Sequence, residues 1–115
     1  KQTLSYMQSL YEFHKVLTYP RTDSRYITDD IVPTIPERLR AAAQGQFQKA
    51  AMALVHSPIQ TKYIVNNAKV TDHHAIIPTE QPANFMKMSH EERMIYDLVI
   101  KRFLAVLSKP FEYDK

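Results

Sequence analysis

The sequence predicts a mainly α domain: a compact multi-helix unit with helix-turn-helix-like packing and at most a short β element. Three observations carry that prediction. Apolar residues recur at helical spacing near the start of the chain and again over residues 90–107. Ser89 followed by Glu92 is a capping-box pattern that opens the second of these segments. The one run with strand character, TKYIV at 61–65, is short and ends at Asn66-Asn67, a turn pair. With 44% hydrophobic and 23% charged residues among 115, the chain can bury a real core as a single domain over 1–115.

Taken in order, Leu4, Met7, Leu10, Tyr11 and His14 predict a helix from about 4 to 15, with Thr3 as its cap. Tyr19-Pro20 cannot continue a helix, because proline pushes the residue before it toward extended geometry. The stretch from Val16 to Asp30 is therefore a loop, with an extended piece at Val16–Thr18. Thr28, Asp29 and Asp30 offer a cap, and Pro33 and Pro36 restrict the next helix to 36–43. Gly45 separates it from a helix over 46–55 with Phe47, Ala50, Ala51 and Leu54 on one side, ended by Ser57-Pro58. Residues 68–88, holding Pro78 and Pro82, read as an ordered loop. The final helix, 90–107, carries Ile95, Leu98, Val99, Phe103 and Val106 as an apolar stripe crossed by Arg102.

Composition excludes several functions. Without cysteine there is no disulfide scaffold, zinc ribbon or thiol catalysis. One glycine cannot build a phosphate-binding loop or a dinucleotide fingerprint. No apolar run approaches the ~18 residues needed to cross a bilayer. The net charge of +3 permits a polyanionic partner without demanding one. The chain begins and stops abruptly, without a signal-peptide apolar region, as expected of a segment of a longer protein.

Chemistry is expected in the two long, polar, proline-containing connections. In the first, Tyr19 is a poor nucleophile at its ordinary pKa of ~10 unless a neighbour helps. Arg21 lies two residues on, the same way along an extended segment, and can either stabilise phenolate or grip a phosphate. The bland alternative is a surface turn with incidental charges. In the second, Asp72-His73-His74 offers imidazoles for proton transfer or phosphate contact. A metal site would need further ligands that the sequence does not place, so none is assigned.

The run LTYPRTDSRYI (17–27) resembles the active-site tyrosine motif of type IA DNA topoisomerases, and the proline after the tyrosine is similar to the topoisomerase III branch. The run HHAIIPT (73–79) resembles a second signature of that family, about fifty residues downstream. The resemblance implies that Tyr19 is the nucleophile, forming a 5′-phosphotyrosyl link to single-stranded DNA. It implies that Arg21 positions the tyrosine and the scissile phosphate, and that His73 contacts the backbone and assists cleavage or religation. Arg25 and Thr79 are implied DNA contacts, Asp23 and His74 supporting positions, and Tyr26 a packing residue. Mg²⁺ is expected only in the intact enzyme, held by the acidic cluster of a separate Toprim domain. Asp29-Asp30 and Glu91-Glu92 read instead as helix N-terminal charges. The Toprim and gate domains of the same chain are then the partners, the setting is the bacterial cytoplasm, and the isolated segment is expected to be inactive. Competing readings are a non-catalytic helix-turn-helix DNA-binding module, a tyrosine recombinase fragment, for which Tyr19 comes too early, and a helical domain with no site.

Overall fold

The computed structural model describes residues 2–56, 59, 61–70 and 72–108. Its longest element, α4 (His90–Leu107), opens as the capping box requires. The Glu92 amide donates to Ser89 Oγ at 3.1 Å, and the Ser89 amide donates to Glu92 Oε1 at 2.9 Å. The face of α4 turned inward is Tyr96, Val99, Ile100, Phe103, Leu104 and Leu107. This shifts the predicted stripe: Leu98 and Arg102 are exposed. Leu98 is two residues from both Tyr96 and Ile100, about 200° around the helix from each, so it cannot share their face. Burial drives the Tyr96 phenol up to about 12, with the Asp97 charge adding to the effect.

Against α4 packs α1 (Gln2–Glu12), through the fully buried Leu10. α1 stops three residues short of the predicted end. Lys15 takes φ 58°, the left-handed region, and turns the chain back. Phe13 and His14 amides both donate to the Ser9 carbonyl, and the Val16 amide donates to Leu10 O at 3.0 Å. Thr3 lies inside the helix rather than capping it.

A 3-10 helix (Asp29–Thr34) takes the place of the expected cap for the next helix. Thr28 precedes it in extended geometry, but its hydroxyl bonds the Asp30 carboxylate instead of a backbone amide. α2 (Ile35–Ala42) follows with Pro36 in its first turn, where a missing donor does no harm. Gly45 at φ 55° then reverses the chain through a short 3-10 turn (Gly45–Phe47) into α3 (Gln48–Val55). α2 and α3 pack on each other across this turn, the helix-turn-helix-like pairing the sequence suggested. Ala51 is buried there, whereas Ala50 faces solvent. The expected stop at Ser57-Pro58 lies outside the described residues.

The predicted strand at 61–65 is instead a tight turn. The amides of Ile64 and Val65 both donate to Thr61 O, a helix-like arrangement that curls the segment. Only Val65 pairs, in a single parallel bridge with Ile27. Asn67–Lys69 and Phe85–Lys87 add short 3-10 turns. A second isolated bridge, antiparallel, joins Leu17 to Pro78. No strand forms among the described residues.

Both long connections are fastened into the core. Val16, Leu17 and Ile27 of the first and Ala75, Ile77 and Pro78 of the second are buried beside Leu10, Leu39 and Ile100. Burying a side chain of this size contributes about 1.5–3 kcal/mol, so such anchors hold a loop without regular structure.

Candidate active site

The two connections run alongside each other in one antiparallel register. Leu17 stands opposite Pro78, and the Thr18 amide donates to Ile77 O at 3.0 Å. Thr22 Oγ1 donates to His73 O at 3.1 Å further along. Thr18 is the bolt between them: its hydroxyl accepts from the Ile77 amide at 2.9 Å and donates to Ala75 O at 3.2 Å. Outside this pair, Arg38 of α2 donates from Nη1 to Pro78 O at 2.8 Å and from Nε to Thr34 Oγ1 at 2.9 Å. Burial lowers the Arg38 pKa and the Glu80 charge only partly opposes that. Sequence reasoning missed Thr18 and Arg38, because nothing in a lone threonine or a helix arginine announces a partner forty or more residues away.

This register brings Tyr19 and His73 into ring contact, with centroids 4.2 Å apart and planes tilted by 31°. Tyr19 is half-buried, and Tyr11 of α1 meets it edge-on at 5.4 Å. Tyr19 shares a recess with Tyr11, Lys15 and Thr79. His73 faces the adjoining recess of about 260 Å³ with Arg21, Asp23, Lys69 and Asp72. His73 thus touches the Tyr19 ring and lines one recess with Arg21. Lys69 joins the cationic groups of the second recess, a contribution the sequence reading did not assign.

The remaining candidates are placed differently. Arg25 lines a separate groove with Arg102 and Phe103 of α4, and Asp23 borders both that groove and the Arg21 recess. The Thr79 hydroxyl donates to Lys15 O at 2.7 Å and accepts from the Gln81 amide at 3.1 Å, so it braces the end of α1. His74 turns its Nδ1 to Ala75 O at 2.8 Å. Tyr26 is half-buried, and its carbonyl accepts from the Ala75 amide at 2.8 Å. Among the described residues no three His, Asp or Glu side chains converge as a metal site requires.

The scaffold under Tyr11 and Tyr19 is tied to α4 by Glu92. Besides its capping-box bond, Glu92 accepts from Ser9 Oγ at 2.6 Å and contacts His14 Nε2 at 3.2 Å. Burial pushes its carboxyl up, but the hydrogen bonds from Ser9 and the Ser89 amide, with the His14 charge, outweigh burial. Glu92 therefore titrates below the ordinary carboxylate range.

The helical scaffold thus presents a phenol in ring contact with an imidazole, beside a recess lined by an arginine. Sequence comparison gives the class: the family model for DNA topoisomerase matches residues 1–115, and the chain belongs to that family. The relatives it matches include DNA topoisomerase 3 proteins. It is 58% identical over 116 aligned positions to DNA topoisomerase 3 of Bacillus thuringiensis (strain Al Hakam) and of Bacillus anthracis. It is 50% identical to DNA topoisomerase 3 of Bacillus subtilis (strain 168). All of this chain is covered in each case, and it spans 16% of the length of those relatives.

Proposed function

We propose that these residues form the tyrosine-bearing domain of a topoisomerase III. In the longer enzyme the domain cleaves and rejoins single-stranded DNA through a 5′-phosphotyrosyl intermediate. The observation that carries this reading is the Tyr19–His73 ring contact beside the recess holding Arg21. In the cleavage step a bond forms between Tyr19 Oη and phosphorus while the bond from phosphorus to the 3′-oxygen breaks. The phenol passes its proton to water, and the departing 3′-oxygen takes one from a group in the rest of the enzyme. Arg21 and His73 stabilise the charge that builds on the phosphoryl oxygens. Religation is the reverse, and since the ester bond is exchanged rather than hydrolysed, no ATP is required.

The described residues of this segment do not fit a Mg²⁺ site. The ion expected of the intact enzyme belongs with the Toprim carboxylates, and the gate domains complete the strand-passage cycle. Arg25 with Arg102 supplies further contacts to the DNA backbone, whereas Thr79, whose one hydroxyl hydrogen goes to Lys15 O, does not donate to it.

A single-stranded oligonucleotide labelled at its 3′ end tests this reading. With the full-length enzyme, label should stay with the protein on a denaturing gel. Tyr19→Phe should abolish that adduct while leaving oligonucleotide binding intact. An adduct that survives the substitution moves the nucleophile elsewhere.

A further inference from the structure

Phe13 is 82% exposed at the end of α1. Its ring meets another in the described structure only at His14, with centroids 6.3 Å apart and planes at 70°. It walls a recess of about 610 Å³ that runs along α1, with Leu4, Gln8 and Glu12 on the sides. Arg21 lines that recess too, as it does the recess of His73. One arginine therefore borders two hollows: one beside the ring pair of Tyr19 and His73, the other along α1 with an exposed phenyl ring at its wall.

We infer that the α1 recess is a nucleotide subsite, in which the base flanking the scissile phosphate stacks on Phe13 while Arg21 holds the phosphate between the two hollows. This rests on the reading of Tyr19 given above and adds to it a residue that the tyrosine and histidine motifs do not contain. The volume suits a ligand of nucleotide size, since small-molecule sites begin near ~300 Å³. An aromatic face next to an arginine is the pairing by which proteins hold single strands, because every base has a π-face and every linkage a charge. The composition also disfavours a purely apolar protein partner: Gln8, Glu12 and Arg21 would be desolvated beneath it. A base presents amino groups along its edge, and the Gln8–Glu12 pair, joined from Nε2 to Oε2 at 2.7 Å, leaves the other Glu12 oxygen to accept from one. Stacking there places the backbone rather than reading sequence, so little base preference is expected at this position.

The test uses the full-length enzyme and single-stranded deoxyoligonucleotides carrying 2-aminopurine on either side of the cleavage position in turn. Stacking on a phenyl ring quenches this base. Quenching is expected at one of the two positions, and Phe13→Ala should abolish it and weaken binding about fivefold or more, as loss of one stacked base does. Phe13→Trp should restore both. Tyr19 adducts must still form on the wild-type enzyme, so their absence would count against the catalytic reading and not against the subsite. Adducts that form normally with no Phe13-dependent quenching at either position overturn the subsite. So does a Phe13→Ala enzyme that melts lower or is cut faster by protease while binding DNA as before, since Phe13 would then be packing against another part of the longer protein.

Discussion

Replacing Glu92 should loosen the site from a distance. The carboxylate receives the Ser9 hydroxyl, the Ser89 amide and the His14 imidazole, and it is only 9% exposed. In Glu92→Ala the Ser89 amide and the Ser9 hydroxyl lose an ionised acceptor, at about 1.5–3 kcal/mol for each such bond, though the two losses are not fully additive. A net cost of about 3–4 kcal/mol follows. Unfolding entropy of about 2.1 cal/mol/K per residue makes 1 kcal/mol worth about 4 °C in a chain of this length, so Tm should fall by about 12–16 °C. Glu92→Gln keeps the shape and one acceptor, and should lose about 1–2 kcal/mol, the charge-assisted part. The sign of the pH dependence is fixed by the lowered carboxyl. The advantage of wild type over Glu92→Gln is fully present above the ordinary value of 4.5 and is lost as pH falls through the lower folded value. Thermal unfolding followed by circular dichroism between pH 6 and pH 2.5 measures both effects. A gap between wild type and Glu92→Gln that does not change over that range would refute the account, as would an alanine variant that melts within about 4 °C of wild type.

Two other substitutions probe the frame around the site. Thr18→Val leaves the Ile77 amide and the Ala75 carbonyl without their shared hydroxyl, which should cost about 2 kcal/mol, or about 8 °C. The His73 ring protons should also move toward free-imidazole shifts in an NMR spectrum as the Tyr19 ring drifts off them; an unchanged spectrum and Tm would show that the bolt is dispensable. Gly45→Ala should cost about 1 kcal/mol, because φ is +55° while the added Cβ meets only Arg93 Nη2 at 3.5 Å and Phe85 Cε2 at 3.8 Å. Chemical denaturation should therefore show a small loss with an unchanged m-value, and a loss above about 3 kcal/mol would point to a clash the spacing does not contain.

What the sequence disclosed about the fold is what local chemistry writes. The capping box at Ser89 and Glu92 placed the start of α4 to the residue, because both halves of that motif lie three residues apart. Gly45 marked the α2–α3 turn for an equally local reason. The errors lie where tertiary context decided. TKYIV has strand composition, but a strand needs a partner row, and Ile27 provides one pairing position only. Lys15 cut α1 short in a conformation that its residue type does not advertise. Glu92 read as a helix N-terminal charge, and its ties to Ser9 and His14 span about eighty residues of chain, a separation no periodicity detects. Tyr19, Arg21 and His73 were legible as candidates from their residue types and motifs. Their mutual placement depended on the register of two loops, and that is set by Leu17, Thr18 and Pro78.

That register also divides the labour within the site. Tyr19 and His73 are held by the fold: Tyr19 precedes the buried Pro20, and Thr22 closes the ladder on the His73 carbonyl, two residues before the buried Ala75. Arg21 is not. It is exposed, and among the described residues no hydrogen bond or ion pair engages its guanidinium. A long side chain left in water keeps about 1.5–2 kcal/mol of rotamer entropy, which must be given up when it is ordered. A phosphate arriving between the two hollows offers a bidentate charge-assisted pair that offsets this loss. An arginine already paired with a carboxylate would first have to break that bond. The fold therefore ties down the chain at Tyr19 and His73 and leaves the guanidinium uncommitted, so that under the proposed function ordering of Arg21 is coupled to the arrival of the phosphate.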